Sequence, residues 1–198
     1  MLHGAIKNFI KESNKIEGIY AYNVEKQFKL HMDFFSLKIL TIQDVCNFVN
    51  QTAGDKAVLR QNFGQNVTVG DHVPMLGGPS VKESLQKIID EINASDNILD
   101  NIQHAYDLGI AGGKWIRSFD EEKVVQVRSA AIKALHNTSG PFQMHNKFVH
   151  LHPFMDGNGR SGRAIWARQM INHMGYDFNP GFLHVFYYQT LGFVDKML

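Results

Sequence analysis

The sequence has little that would cross-link it or carry it into a membrane. One cysteine, Cys46, stands among 198 residues, so no internal disulfide can form, and without a CxxC pair there is no thiol-ligated zinc or thioredoxin-type redox chemistry. Flanked by Val45 and Phe48, Cys46 reads as a buried thiol rather than a nucleophile. A reducing, cytoplasmic setting is the expectation. No apolar run approaches the roughly 20 residues a bilayer span needs, and residues 1–8 lack the charged-then-apolar layout of a secretion signal. Charge of one sign is also missing: 20 Lys and Arg face 19 Asp and Glu. No global field is available to hold nucleic acid or an anionic membrane, and any anion site has to be local. With 44% hydrophobic and 20% charged residues, 17 Gly and 5 Pro, the composition excludes disordered, collagenous and coiled-coil chains and fits one soluble domain over 1–198.

Periodicity predicts a mainly helical chain. Residues 4–17 place Ile6, Ile10 and Ser13 on one face and Phe9, Ser13 and Glu17 in a neighbouring row, with Gly18 as the stop. A second amphipathic stretch covers 24–37. A third starts at Thr41, where Thr41 and Asp44 have capping-box spacing. Between 66 and 75 the period changes to two around Gly70-Asp71, which predicts a small β-hairpin. Ser80-x-x-Glu83 caps the next helix, continued by 96–108, and Ser118-x-x-Glu121 opens another to about 137. Pro141 suits the first turn of a helix that carries Phe142, His145, Phe148, Val149 and His152 and is ended by Pro153; helices over 160–174 and after Pro180 complete the chain. The expected fold class is all-α, a helical bundle with one small hairpin.

Chemistry concentrates in residues 152–163, HPFMDGNGRSGR. Gly157-Asn158-Gly159 running into a helix offers backbone N–H groups at the positive end of the helix dipole, a place for a phosphate. Arg160 and Arg163, three apart, are spaced to clamp neighbouring phosphates with forked donors. Asp156 supplies a hard oxygen suited to Mg²⁺, which takes only one or two protein oxygens and keeps several waters. His152 is placed to remove a proton from an attacking hydroxyl. Against this stand plainer readings: turn-forming glycines, a solvated arginine face, a satisfied core histidine, or a metal site at His150-x-His152, for which no partner follows at zinc spacing. The conjunction of features favours the phosphate site. His145 and His150 read as structural.

At these residues the sequence resembles the Fic family, whose signature His-x-Phe-x-(Asp/Glu)-Gly-Asn-Gly-Arg-x-x-Arg is met at every defined position of 152–163. The resemblance implies an all-helical Fic fold and transfer of AMP from ATP to a Ser, Thr or Tyr hydroxyl of a target protein. It further implies that His152 is the general base, Asp156 the Mg²⁺ (or Mn²⁺) carboxylate, Gly157, Asn158, Gly159 and Arg160 the phosphate cradle, and Arg163 the γ-phosphate clamp. Doc-type relatives, which phosphorylate instead, have Lys where this chain has Gly159. Upstream, Val67, Thr68, Val69 and Gly70 resemble the flap that positions the target chain. Tyr187 and Tyr188 resemble a Tyr pair near the adenine in some relatives, and are equally plausible as core.

A second stretch, Ser13-Asn14-Lys15-Ile16-Glu17-Gly18, resembles the (Ser/Thr)-x-x-x-Glu-(Gly/Asn) inhibitory motif of the same family. Ser13 and Glu17 share a helix face at i and i+4, and Arg163 is the candidate partner for the carboxylate. An inhibitory helix over about 4–18 is therefore expected. The readings that remain are an auto-inhibited AMP transferase, a hydrolase that removes AMP through the same loop, and an ATP-binding module without turnover, with a phosphotransferase disfavoured by Gly159. Expected partners are ATP and a target protein, not nucleic acid or membrane, and homodimerisation stays open.

Overall fold

The apolar periods fold into helices in the computed structural model of the chain, which describes residues 2–54, 57–111 and 140–174. Six helices occur among these residues: α1 (Leu2–Ile16), α2 (Val24–Phe35), α3 (Ile42–Ala53), α4 (Pro79–Ala111), α5 (Pro141–Leu151) and α6 (Asn158–Met174). No described helix is long and apolar enough to cross a membrane. The helices expected over 118–137 and after Pro180 lie outside the described residues.

Local signals account for most boundaries. The Asn23 side chain accepts the Lys26 N–H at 2.9 Å and starts α2. Thr41 and Asp44 form a reciprocal box at α3, with the Asp44 N–H on Thr41 Oγ1 at 3.2 Å and the Thr41 N–H on Asp44 Oδ2 at 3.0 Å. Helix α1 begins at Leu2, two residues before its expected start, and two further starts also differ from expectation. Ser80 is not the cap of α4, because Pro79, with no N–H to satisfy, takes the first helical position ahead of it. The last described helix begins at Asn158 rather than Arg160, for a reason found in the loop before it.

The expected hairpin is reduced to one tight turn. Val69 and His72 exchange both backbone hydrogen bonds, at 2.9 and 3.0 Å, around Gly70-Asp71, with Gly70 at φ 58°. The pairing stops there, and no strand forms among the described residues. Pro74 lacks the N–H that a longer ladder would need. The two feet of the loop are joined through side chains instead: the Asn66 amide oxygen accepts the Gly77 N–H at 2.9 Å, and Arg60 binds the carbonyls of both Gln65 and Met75.

Helix α6 is the axis of the described bundle and packs against all five other described helices. Its polar sequence conceals this, because Ser161, Arg163, Arg168 and Gln169 are buried along with Ala164, Ile165 and Ala167. Small residues allow the close approach: a Cβ on Gly162 would stand 2.8 Å from Val149 Cγ2 of α5. The buried Arg168 is satisfied by Asp96 of α4 at 2.6 Å and by the carbonyls of Leu37 and Lys38. On the other side, Ile6, Phe9 and Ile10 of α1 enter the same core as Phe34, Phe35 and Phe48. His31 sits among these rings, 5.0 Å from Phe48 and 5.8 Å from Phe35 between centroids, with its Nδ1–H donated to the Gln27 carbonyl at 2.8 Å. Burial pushes its pKa down to about 4, with Gln27 opposing and Arg160 adding to the shift.

Candidate active site

The connection between α5 and α6 is shaped by its own side chains. His152 caps α5 in the left-handed region, φ 49° and ψ 59°, the one non-glycine residue with positive φ among those described. Pro153 follows and cannot continue the helix. The Asn158 amide then closes the loop on itself, accepting the Phe154 N–H at 2.9 Å and donating to the Phe154 carbonyl at 2.7 Å. This pair of bonds is why α6 starts two residues early. It also commits the Asn158 side chain, 2% exposed, to the loop's shape. Gly157 has φ 82°, and a Cβ there would meet Ala53 at 2.9 Å and Val49 at 3.0 Å, so only glycine lets the loop lie against α3. The first turn of α6 leaves backbone N–H groups without helical partners at the loop mouth.

Arg163 is not on a solvated face. It is 1% exposed, and its guanidinium reaches α1: Nε donates to Ser13 Oγ at 2.8 Å, and Nη2 to the Ser13 carbonyl at 2.9 Å and to Glu17 Oε1 at 2.6 Å. The pairing of Glu17 with Arg163 expected from the helix face of Ser13 and Glu17 is thus present in the fold. Glu17 stands just past the last turn of α1, and Gly18, at φ 70°, reverses the chain there. The carboxylate lies over the start of α6, since a Cβ on Gly159 would collide with Glu17 Oε1.

The other candidate residues surround this pair. Arg160 is partly buried and donates through Nη1 to the Thr52 carbonyl at the end of α3. Asp156 is exposed, with Oδ1 accepting the Gly157 N–H at 2.6 Å, which leaves Oδ2 for a cation. One carboxylate beside a candidate phosphate site fits Mg²⁺, which takes the rest of its ligands from water and phosphate. No cluster of three or more His, Cys, Asp or Glu is arranged for a metal among the described residues, so His150-x-His152 gains no third ligand there. The His152 ring is partly buried, and Nδ1 has no well-formed hydrogen bond. Burial lowers its pKa below the ordinary histidine value; Arg60 and His72 push the same way, and the Val149 backbone and Glu17 oppose. The imidazole is therefore neutral, as a base must be, at neutral pH.

Around the 65–75 loop, Thr68, Val69 and Gly70 are exposed and Val67 is half-buried. The turn they enter rests on α5, where His72 Nε2 is 2.9 Å from the His150 carbonyl and the two rings are 5.3 Å apart. His145 is buried, as expected, with its pKa pushed down to about 3 by burial, Arg163 and His150. Tyr187 and Tyr188 lie outside the described residues. Sequence reading missed Arg60, His72 and Thr52. Arg60 and Thr52 meet the site through main-chain carbonyls, which carry no residue signature.

Residues 113–170 match the model of the Fic/DOC family. This stretch is similar to the Fic/DOC family. No curated protein and no solved structure matches the chain. The matched stretch takes in α5, the loop and α6 as far as residue 170, and leaves out α1 and the 65–75 loop. The ion pair between Arg163 and Glu17 therefore joins the matched stretch to a segment beyond it.

Proposed function

We propose that the protein is an adenylyltransferase that moves AMP from ATP to a Ser, Thr or Tyr hydroxyl of a target protein, and that Glu17 holds this activity in check. The observation that carries the reading is Glu17 on the guanidinium of Arg163, directly over the cradle at Gly159. In the reaction, His152 takes the hydroxyl proton as the oxygen bonds to the α-phosphorus. The bond from that phosphorus to the α,β-bridging oxygen breaks, and pyrophosphate leaves. The N–H groups opening α6, with Arg160 and Arg163, hold the phosphates for in-line displacement. Mg²⁺ on Asp156 would neutralise phosphate charge when bound. With Glu17 in place, Arg163 is engaged, and the γ-phosphate is denied its clamp. Such chemistry, with one free thiol and ATP as co-substrate, suits the cytoplasm.

A hydrolytic reading uses the same site: the Glu17 carboxylate lies over the start of α6 at Gly159, where with His152 it would activate water. The test is incubation of wild type and Glu17→Gly with ATP labelled at the α- or the γ-phosphate in a cell lysate. Protein-bound α-label, enhanced by Glu17→Gly, is expected. Protein-bound γ-label would make it a kinase, and release of AMP from pre-labelled protein by wild type but not Glu17→Gly would favour the hydrolase.

A further inference from the structure

Arg60 is a fully buried cation, 0% exposed, and no carboxylate among the described residues pairs with it. Its donors go to main-chain carbonyls from three separate places. Nε donates to His152 O at 2.6 Å and Nη2 to Leu151 O at 3.0 Å, both at the C-terminus of α5. Nη1 donates to Gln65 O at 3.2 Å and Met75 O at 2.9 Å, the two feet of the loop that carries Val67 to Gly70. The Arg60 backbone adds its N–H to Pro153 O at 2.8 Å and its carbonyl to the Gly78 N–H at 3.0 Å. Beside it Leu59 bridges Phe154, and the Met155 N–H reaches Val58 O at 2.9 Å, so this segment runs antiparallel to the catalytic loop.

A helix ends with carbonyls that have no internal partner and with the negative end of its dipole. In α5 those of His150, Leu151 and His152 all accept from the same side: His72 takes the first and Arg60 the other two. The loop is thus fastened to the last turn of α5 at its tip and at both feet. The residue it fastens is strained, since His152 is left-handed without being glycine and precedes a proline. A planar guanidinium can span such a set of acceptors. An ammonium of equal charge has three donors and no fork.

We propose that Arg60 is a positioning residue that fixes the imidazole of His152 and the 65–75 loop in one frame, so that an acceptor hydroxyl delivered by the loop arrives at the base. Its role as positioning for transfer rests on the adenylyltransferase reading; the mechanical coupling does not. Arg168, equally buried and bonded to carbonyls but remote from the loop, is the control for generic loss of a buried arginine.

Arg60→Lys, Arg168→Lys and His72→Phe are compared with wild type by amide hydrogen exchange and thermal melting. In Arg60→Lys, peptides from 61–76 and from 150–156 should lose protection together, each exchanging at least tenfold faster, with α1 unchanged. Arg168→Lys should leave both slow, and His72→Phe should loosen the loop tip more than 150–156. Loosening of only one of the two segments, or equal loosening in Arg168→Lys, overturns the coupling. In the Glu17→Gly background, Arg60→Lys should cut kcat for AMP transfer by about 10- to 100-fold with the ATP Kd unchanged. An unaltered kcat, or a loss in ATP affinity instead, overturns the positioning role. If Glu17→Gly itself transfers no AMP, the transferase reading fails, while the exchange data still decide the coupling.

Discussion

Replacing Glu17 by Gly separates a structural carboxylate from an inhibitory one, because the two have opposite effects on activity. Glu17 follows α1 and is not needed to hold it: the buried Ile6, Phe9 and Ile10 anchor the helix. Arg163 keeps its bonds to Ser13 Oγ and Ser13 O in the variant, so its guanidinium stays oriented. Truncating α1 would be the poorer experiment, since it strips apolar surface from the core as well. What the substitution removes is one charge-assisted hydrogen bond of 2.6 Å between a 1% exposed guanidinium and a 36% exposed carboxylate side chain. Such bonds contribute about 1.5–3 kcal/mol, and water at the Glu17 end screens the pair, so about 1–2 kcal/mol is a fair share. A γ-phosphate competing for the same donors gains that amount, which corresponds to about 5- to 30-fold in productive ATP binding. The assay is the initial rate of α-labelled AMP incorporation at sub-saturating ATP, with Mg²⁺ and with Mn²⁺. Adding Arg163→Ala should cancel the gain, because the freed clamp is then absent. A Glu17→Gly rate within about twofold of wild type, below the smallest effect this pair can have, would refute the reasoning. So would a gain that survives Arg163→Ala.

Other substitutions report on the remaining parts of the site. His152→Ala should abolish transfer with the ATP Kd unchanged in calorimetry, and His152→Gly should be equally inactive but melt higher than His152→Ala, because glycine relaxes at φ 49° and alanine does not. Asp156→Asn should weaken ATP binding in Mg²⁺ and leave metal-free binding nearly unchanged, since a neutral amide loses its attraction for a hard cation. Below pH 6.5 the fold should lose stability: His31 and His145, with pKa values pushed to about 4 and about 3, stay neutral when folded but take up protons when unfolded. Each contributes about 1.4 kcal/mol per pH unit between its unfolded and folded values. Urea midpoints that stay flat from pH 7 to pH 5 would contradict both.

The parts legible in sequence are those whose cause is local. The apolar rows of α1 to α3 and the Thr41–Asp44 box announce themselves within a few residues. So does the Gly70-Asp71 turn, though not the fate of its flanks, which depends on a distant arginine holding both feet. In α6 a solvated face is the plainer reading of Arg160 and Arg163, which the motif overrides, and nothing local marks Arg168 as buried. The helix's burial follows from what surrounds it, with α1 supplying Ser13 and the turn after it Glu17 to Arg163, and α4 supplying Asp96 to Arg168. Arg60 was invisible for the same reason in a stronger form: its side-chain partners are backbone oxygens up to 92 residues away.

His152, the proposed general base, sits where a helix would more comfortably place glycine. A left-handed cap followed by proline costs about 1–3 kcal/mol in backbone strain for a side-chain-bearing residue, and only an imidazole there can accept the proton. At the cap the chain turns away from the helix, and the freed carbonyls of Leu151 and His152 must be satisfied by something other than the helix. Water would satisfy them without fixing them. The guanidinium of Arg60 satisfies both and is itself immobilised by the feet of the 65–75 loop. The strain at His152 and the burial of an arginine without an acid are therefore one arrangement. Each would be unfavourable alone, and together they set the base at a fixed distance from the segment opposite it.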